Sequence, residues 1–229
     1  MKSAYTDCTA RRLSQEIKAS EDRVKFERGN RHVLTVRGLK SLLPDRFTVD
    51  NLSDLYFATF ETTFRIIHVP SFRSAYDSYW DAQNSGDTDM DAIILAIMAC
   101  TICLSSHTSP RYNHRGSNFH SKAYTWIKAC EAWLKRQSNK HRSLASIQVR
   151  CLRLLACSTA NIKPKEYYQE VQAHTAFMRS AGMHIDPDVF GSRCTPFEGE
   201  IRRRLWATTM ELELQASIDK GVSPNSSQR

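Results

Sequence analysis

The feature that most restricts the fold of this chain is a long apolar run, MDAIILAIMACTICL, at residues 90–104. Its only charged residue is Asp91, and it contains neither Gly nor Pro. A helix that is apolar on most sides is stable only where other elements surround it. The run is also shorter than the roughly 20 residues that a bilayer-spanning helix needs. We therefore predict a central core helix here and no contact with a membrane.

The composition favours helices in the rest of the chain as well. Of the 229 residues only 8 are Gly and 7 are Pro, which is few for the many turns of a sandwich or a barrel. Apolar residues recur at helical spacing in several further segments, and no convincing run of strands occurs. The predicted fold class is all-α, an irregular bundle of about seven helices.

Capping residues and prolines indicate where the first helices begin and end. Asp50 or Ser53 is expected to cap a helix that carries apolar residues as far as Phe64. Pro70 is expected to end that helix, because proline lacks a backbone donor and crowds the preceding turn. Ser71 is then the predicted cap of the next helix.

The later helices carry similar signals. Ser143 is a predicted cap, Pro164 suits the first turn of a helix, and Gly182 suits a left-handed helix end. Thr195 and Glu198 have the spacing of a capping box at the start of the last helix, which Gly221 would end. The predicted organisation is a basic linker with a partial helix at 1–46, a helical domain at 47–221 and a polar tail at 222–229.

Positive charge is concentrated in the middle of the chain. The formal net charge is +8, and residues 110–165 carry twelve Lys and Arg against one acidic residue. Within them lies the tract KRQSNKHR, which holds Lys135, Arg136, Lys140, His141 and Arg142. Such a tract suits nuclear import or phosphate binding, but we favour a polar loop between helices.

Several residue pairs have the chemistry of a catalytic or metal site, but each has a simpler interpretation. Cys100 and Cys103 form C-x-x-C inside the apolar run, where cysteine packs as a small hydrophobe. Asp87, Asp89 and Asp91 precede or begin that helix, where acidic residues interact favourably with the helix dipole. An all-helical enzyme that uses diphosphates and Mg²⁺ would present its acids on one helix face, whereas these three straddle a loop.

His184 and Asp186 have the chemistry of metal ligands or of an acid–base pair, and His68 is a further catalytic candidate. Each lies in a predicted turn, next to Gly182 and Pro187 or next to Pro70, and a packed or hydrogen-bonded turn residue explains it. No phosphate-binding glycine loop and no G-x-S-x-G motif occurs. We therefore predict no catalytic, cofactor-binding or metal-binding residue in this chain, and no enzymatic activity.

The three consecutive arginines, Arg202, Arg203 and Arg204, lie on the last predicted helix. Glu198 precedes Arg202 by four residues, and Glu200 precedes Arg204 by four, the favoured order for an ion pair within a helix. A helix that reads DNA needs its arginines free for phosphates and base edges. The spacing therefore favours structural ion pairs over nucleic-acid binding, with Trp206 packed against a neighbouring helix or on a guanidinium.

Three stretches in order resemble the regulatory (middle homology) domain of the fungal-specific binuclear zinc-cluster transcription factors, over roughly residues 42–221. They are residues 55–80 with a His-x-Pro-Ser-Phe turn, residues 179–190 with a Gly-Met-His-x-Asp-Pro turn, and the last helix with its arginine run. The residues that carry the resemblance are His68, Pro70, Ser71, Phe72, Gly182, His184, Asp186, Pro187, Glu200, Arg202, Arg203, Arg204, Leu205 and Trp206.

This resemblance implies a nuclear, helical regulatory domain that contacts other transcription-regulatory proteins, including a homodimer or heterodimer partner, and that meets DNA only indirectly. In the family, a separate N-terminal cluster of six cysteines binds zinc and DNA. Here only Cys8 precedes Cys100, so we expect zinc only in such a module and not in this chain. In the family the helices also continue past the position of Gly221, so the domain is expected to be incomplete at its C-terminal end.

Two other functions stay open at this point. One is a standalone helical adaptor, or a truncated paralogue that pairs with full-length factors. The other is an all-α enzyme with an apolar pocket lined by aromatic residues, for which His184 or Asp186 would have to carry activity.

Overall fold

The computed structural model describes residue 12 and residues 38–81, 88–106, 109–113, 116–137 and 143–224. The chain divides into two compact units, 1–35 and 36–229, and of the first only Arg12 is described, within a helix. Most of the predicted linker at 1–46 therefore lies outside the described residues. So do Asp87, residues 138–142 of the basic tract and most of the polar tail.

Eight α-helices account for most of the described part of the second unit, so the all-α prediction is confirmed. The helices are α1 Arg46–Thr59, α2 Glu61–Phe64, α3 Val69–Asp81, α4 Thr88–Thr101, α5 Asn118–Arg136, α6 Leu144–Thr159, α7 Tyr167–Ser180 and α8 Pro196–Lys220. Short 3₁₀ segments occupy Lys40–Leu42, Ile102–Leu104 and Pro187–Arg193. None of the helices in the described ranges has both the length and the apolar character needed to cross a membrane.

Helix α4 forms the centre of the bundle. Every residue from Met90 to Thr101 is buried, and the helix packs against α1, α5 and α6. Asp91, the one charge in the run, accepts a 2.5 Å hydrogen bond from the Tyr79 hydroxyl. Removing apolar surface from water on all sides of one helix, at about 25 cal/mol per Å², is the main stabilising term of such a core. The prediction of a central core helix is confirmed.

The first helix begins earlier than predicted, by five residues relative to an Asp50 cap and by eight relative to a Ser53 cap. Asp45 is the N-cap, and its carboxylate accepts a hydrogen bond from the Thr48 backbone N–H at 2.9 Å. Asp50 and Ser53 lie inside α1, so the prediction that one of them caps it was wrong. Val49, which is fully buried, extends the apolar face back toward the true cap.

Pro70 begins a helix and does not end one, contrary to the prediction. Helix α2 stops at Arg65, whose φ of 49° is left-handed. Pro70 is the second residue of α3, where its missing N–H has no intrahelical acceptor to lose. Ser71 lies inside α3 and is not its cap. His68 precedes the helix instead, with Nδ1 2.7 Å from Ser71 Oγ.

The later boundaries follow the sequence more closely. Ser143 caps α6, as predicted, through a hydrogen bond from the Ser146 N–H. Gly182, at φ 67°, follows the end of α7 as predicted. The chain reverses at Lys163, whose φ is 53°, so Pro164 lies in a turn and α7 begins three residues later, at Tyr167. The placement of Pro164 in a first helical turn was therefore wrong.

The start and the end of α8 are those predicted. Thr195 and Glu198 form the capping box, with Pro196 in the first turn, and Gly221 ends the helix at φ 72°. One feature was missed. The predicted loop before α5 contains a two-residue antiparallel ladder, in which Tyr112 pairs with Ser117 and Asn113 pairs with Gly116.

Candidate functional site

Helix α8 brings together the three segments that carry the sequence motifs. It packs against α2, α6 and α7 and against the 3₁₀ segment Pro187–Arg193. Ile201, Leu205 and Leu212 form its buried face. The three arginines, Arg202–Arg204, project to the sides of this face, where Arg202 and Arg203 contact the turn after α7 and Arg204 contacts Glu200 of the same helix.

Arg202 holds the turn that follows α7. Its Nη2 donates a 2.7 Å hydrogen bond to the Gly182 carbonyl oxygen, and its guanidinium lies 5.2 Å from the centre of the Phe190 ring. The predicted pair of Arg202 with Glu198 was wrong. Glu198 Oε2 accepts hydrogen bonds from the backbone N–H and the hydroxyl of Thr195, at 2.9 and 2.8 Å, so the capping box uses this carboxylate.

Arg203 binds the same turn from its solvent side. Its Nη2 lies 3.0 Å from Asp186 Oδ1 and 2.7 Å from Asp188 Oδ1. The Asp188 backbone N–H and the Arg203 guanidinium both hydrogen-bond to Asp186 and lower the pKa of its carboxyl group. Asp186 also caps the 3₁₀ segment. Asp186 is thus a hydrogen-bonded turn residue, as the sequence interpretation expected, at the start of the 3₁₀ segment.

Arg204 forms the predicted ion pair within the helix. Its Nε donates to Glu200 Oε1 at 2.7 Å, and Arg65 lies 3.9 Å from the same oxygen. The hydrogen bond from Arg204 lowers the pKa of Glu200. Each of the three arginines therefore contacts a group of its own domain.

Contacts of aromatic rings and of the backbone also join these segments to α8. The His68 ring packs edge-on against Phe197 of α8 at 5.0 Å, and the His184 ring lies 6.0 Å from that of Trp206. Trp206 therefore packs beside a histidine of the turn after α7, and among the described residues no guanidinium is stacked on its ring. The Thr208 hydroxyl donates to the Phe64 carbonyl oxygen.

Helix α8 packs closely on the 3₁₀ segment at Gly199. Gly199 is buried, and a Cβ placed on it would come within 3.2 Å of Pro187 Cβ. Leu205 is fully buried on the inner face of α8. We call the motif residues that meet at α8 in this way the motif cluster; they are His68, Gly182, His184, Asp186, Pro187, Glu200, Arg202, Arg203, Arg204, Leu205 and Trp206. The remaining motif residues lie elsewhere. Phe72 packs instead against Phe57 of α1, and Pro70 and Ser71 belong to the first turn of α3.

The sequence analysis missed two buried ionisable groups beside this cluster. Glu61 accepts hydrogen bonds from the Tyr56 hydroxyl and the Ile67 N–H, both at 2.8 Å, and burial raises its pKa to about 7. Its place between Tyr56, Phe60 and Phe64 in an apolar helical segment is the signal that points to its burial.

The second of these groups is His174. Its burial lowers the pKa of the imidazole to about 3. Its Nε2 lies 3.3 Å from Thr209 Oγ1, and that hydroxyl donates its proton to the Leu205 carbonyl oxygen at 2.8 Å. Cys151 Sγ lies 3.6 Å from the same nitrogen, so in the neutral imidazole Nε2 either donates to the Thr209 hydroxyl or accepts from the Cys151 thiol.

An ion-pair network connects α5, α6 and α7 on another side of the bundle. Arg153 and Lys163 each bind both Glu131 and Glu170, at distances of 2.5 to 3.3 Å. These side chains border a cavity of about 590 Å³. Their mutual pairing satisfies the charges, so the network serves to hold the three helices together.

Cys100, the first residue of the C-x-x-C pair, has the position of a packing residue. Cys100 is fully buried, and its Sγ lies 3.2 Å from the Ala96 carbonyl oxygen, while burial raises the pKa of its thiol. Cys103 lies beyond the end of α4, in the 3₁₀ segment. Across the described ranges, no three His, Cys, Asp or Glu side chains are grouped so that they could hold a metal ion.

Comparison with known proteins relates the chain to transcriptional regulators. The profile of the "Fungal specific transcription factor domain" matches residues 53–228. Transcription factor opdR of Penicillium oxalicum is 35% identical over 217 residues, which are 94% of this chain and 25% of opdR. Transcription factor lepE of Aspergillus flavus is 30% identical over 192 residues, 83% of this chain and 23% of lepE. Transcription factor asR3 of Sarocladium schorii is 30% identical over 186 residues, 79% of this chain and 21% of asR3.

The chain thus spans about a quarter of the length of these curated relatives. No solved structure matches it significantly.

Proposed function

Because this chain belongs to the fungal-specific transcription factor domain family, we propose that it is a helical regulatory domain of a transcriptional regulator, acting through contacts with other proteins. The family is the one that the three sequence motifs indicated. In this proposal the domain is not an enzyme, and DNA and zinc binding are the task of a separate module. The protein then works in the nucleus, next to other transcription-regulatory proteins or a second regulator chain.

The observation that supports this function is that the three arginines of the run bind groups of their own domain. Arg202, Arg203 and Arg204 bind the Gly182 carbonyl, the Asp186 and Asp188 carboxylates, and the Glu200 carboxylate. An arginine that neutralises a phosphate must leave such partners, which opposes binding. The run therefore fastens the turn after α7 to helix α8, and such a connection suits a domain that passes a signal between surfaces.

A tethering experiment tests the proposal. The chain is fused to an unrelated DNA-binding module, and transcription of a reporter with the matching DNA site is measured. We expect the fusion to change reporter transcription severalfold relative to the module alone. Leu205→Asp, which places a charge at a fully buried position of α8, should abolish the change. Ala207→Asp, at an exposed position of the same helix, should retain it.

Two results would overturn the proposal. The first is an unchanged reporter when circular dichroism shows that the fused domain is folded. The second is tight, sequence-specific binding of duplex DNA by this chain alone that survives about 0.2 M salt, because it would place a DNA reader inside the domain.

A further inference from the structure

A half-open pocket of about 470 Å³ lies directly beside the motif cluster. It is formed between the start of α6, the 3₁₀ segment Pro187–Arg193 and the first turns of α8. Most of its wall is apolar, contributed by Leu144, Ile147, Met183, Phe190, Phe197 and Ile201. Leu144 and Phe197 are about half exposed although they are large and apolar. Small-molecule sites in proteins have this volume and this kind of lining.

Among the lining residues whose side chains the structure describes, Arg202 is the cationic one. Its Nη2 is bound to the neutral Gly182 carbonyl, and its buried Nε has no hydrogen-bond partner. Within the described part of the chain no carboxylate lies within ion-pair distance of Arg202, whereas Arg203 and Arg204 both have one. Glu198 also borders the pocket, but its Oε2 is held by Thr195.

This arrangement has a specific chemical preference. A partly buried guanidinium without an anionic partner gains most from a ligand oxygen that carries negative charge, because the fork of N–H donors matches a carboxylate. The surrounding wall favours an apolar body, and the Phe190 and Phe197 rings favour a flat one. We propose that this pocket binds an apolar, aromatic carboxylic acid, with the carboxylate on Arg202 and the ring system between Phe190 and Phe197.

Such a ligand would affect the hydrogen bond by which Arg202 holds the turn after α7 to helix α8. A carboxylate on Arg202 competes with or reinforces the contact to Gly182, so ligand binding is coupled to the position of the turn relative to α8. The role of this acid as a regulatory effector rests on the proposed function. The binding step does not, because it is measured on the chain alone and without a reporter.

Cys194 supplies a direct readout, because it lines the same pocket and is half-buried. Cys100, Cys130, Cys151 and Cys157 are buried, so in a background with Cys8→Ser and Cys103→Ser a maleimide reports on Cys194. The probes are 1-naphthaleneacetic acid and its neutral analogue 1-naphthaleneethanol. We expect the acid to halve the alkylation rate at a concentration about tenfold or more lower than the alcohol, since hydrogen bonds to charged groups are the stronger ones.

Variants of two neighbouring arginines show where the charge acts. Arg202→Met should remove the preference for the acid, so that both probes protect Cys194 at similar concentrations. Arg203→Met, on the solvent side of the same helix, should leave the preference unchanged. If Arg202→Met does not fold, the comparison of the acid with the alcohol on the protein that retains both arginines still tests the proposal.

Equal protection of Cys194 by the acid and the alcohol would overturn the assignment of the carboxylate to Arg202. Absence of protection by either probe up to its solubility limit would overturn the pocket as a ligand site. An unchanged reporter in the tethering experiment together with acid-selective protection would reject the regulatory function and leave the binding site standing.

Discussion

Arg202 and Gly182, twenty residues apart in the chain, are joined by a 2.7 Å hydrogen bond from the guanidinium to the carbonyl oxygen. Arg203, the next residue, binds the same turn, but it does so through two exposed carboxylates. Two adjacent arginines therefore fasten one turn by different means. One donates to a neutral backbone group beside a half-buried pocket, and the other forms ion pairs in water.

This difference predicts unequal costs of removal. Arg202→Met should lower the free energy of unfolding by about 1.5–3 kcal/mol, the range for a hydrogen bond to a charged group. Arg203→Met should cost clearly less, because exposed ion pairs contribute little. Urea unfolding in low and high salt checks both. High salt should shrink the cost at Arg203 and leave most of that at Arg202. Equal costs with equal salt dependence would contradict the two roles.

The contact of Gly199 with Pro187 predicts a size limit on α8. Gly199→Leu should destabilise the protein by about 1–3 kcal/mol, because the added atoms meet a rigid proline ring at the distance where even a Cβ is tight. Gly199→Ala should have a much smaller effect, since its better helix propensity, worth about 1 kcal/mol, offsets the tight contact.

Thermal unfolding measures these changes, with Ala207→Leu as the control at an exposed position of α8. A Gly199→Leu protein as stable as the control would refute the close packing of this helix on the 3₁₀ segment.

Glu61 predicts a pH dependence of unusual sign. Its pKa is about 7 in the folded chain against 4.5 in the unfolded chain, so between these values the folded state binds more protons. Its contribution to stability is therefore greatest below about pH 4.5 and falls as the pH rises to about 7. Glu61→Gln places an uncharged group of the same shape at this position. The stability of the variant relative to the parent protein should therefore be roughly 2–3 kcal/mol higher at about pH 8 than at about pH 4.5.

Denaturant unfolding at several pH values, taken as the difference between the variant and the parent protein, isolates Glu61 from other titrating groups. A difference that stays constant with pH would show that Glu61 titrates normally in the folded state.

His174 predicts the opposite slope. Its pKa is about 3 in the folded chain against 6.5 in the unfolded chain, so below about pH 6.5 the unfolded state binds a proton that the folded state does not. Stability is therefore lost as the pH falls from about 6.5 toward 3. His174→Gln removes this group, so its stability relative to the parent protein should rise by roughly 2–3 kcal/mol between about pH 7.5 and pH 4.5.

The same unfolding series checks this second prediction, and at neutral pH the variant should be the less stable protein, because the hydrogen bond to Thr209 is changed. A variant whose relative stability falls on acidification would refute the neutral, buried state of His174.

Local signals in the sequence determined the elements in which they are strongest. The apolar run of α4 admits one environment, the centre of a core, because any exposed side would leave apolar surface in water. The capping box of Thr195 and Glu198, the Ser143 cap and the glycine ends at Gly182 and Gly221 were found from the sequence, since each satisfies backbone groups within a few residues of itself. The family, too, was indicated by motifs written within single segments.

The errors occurred where a short-range rule offered two outcomes. Pro70 fits the end of one helix or the start of the next, and the sequence pattern alone does not distinguish them. Asp45 and Asp50 are both acceptable caps, and the burial of Val49 decided between them. Glu198 had two possible partners, Arg202 and Thr195, and the capping box took its carboxylate.

Only the tertiary structure decided how the motifs meet. The ion pair of Arg204 with Glu200 lies within one helical turn and follows from spacing. The contacts of Arg202 with Gly182, Arg203 with Asp186, and His68 with Phe197 do not, because their partners lie 17 or more residues apart in the chain. Such contacts depend on the direction in which α8 crosses the turn after α7, and that direction is set by the packing of whole helices. The sequence therefore determined the helices and the family, and the fold determined which of their side chains touch.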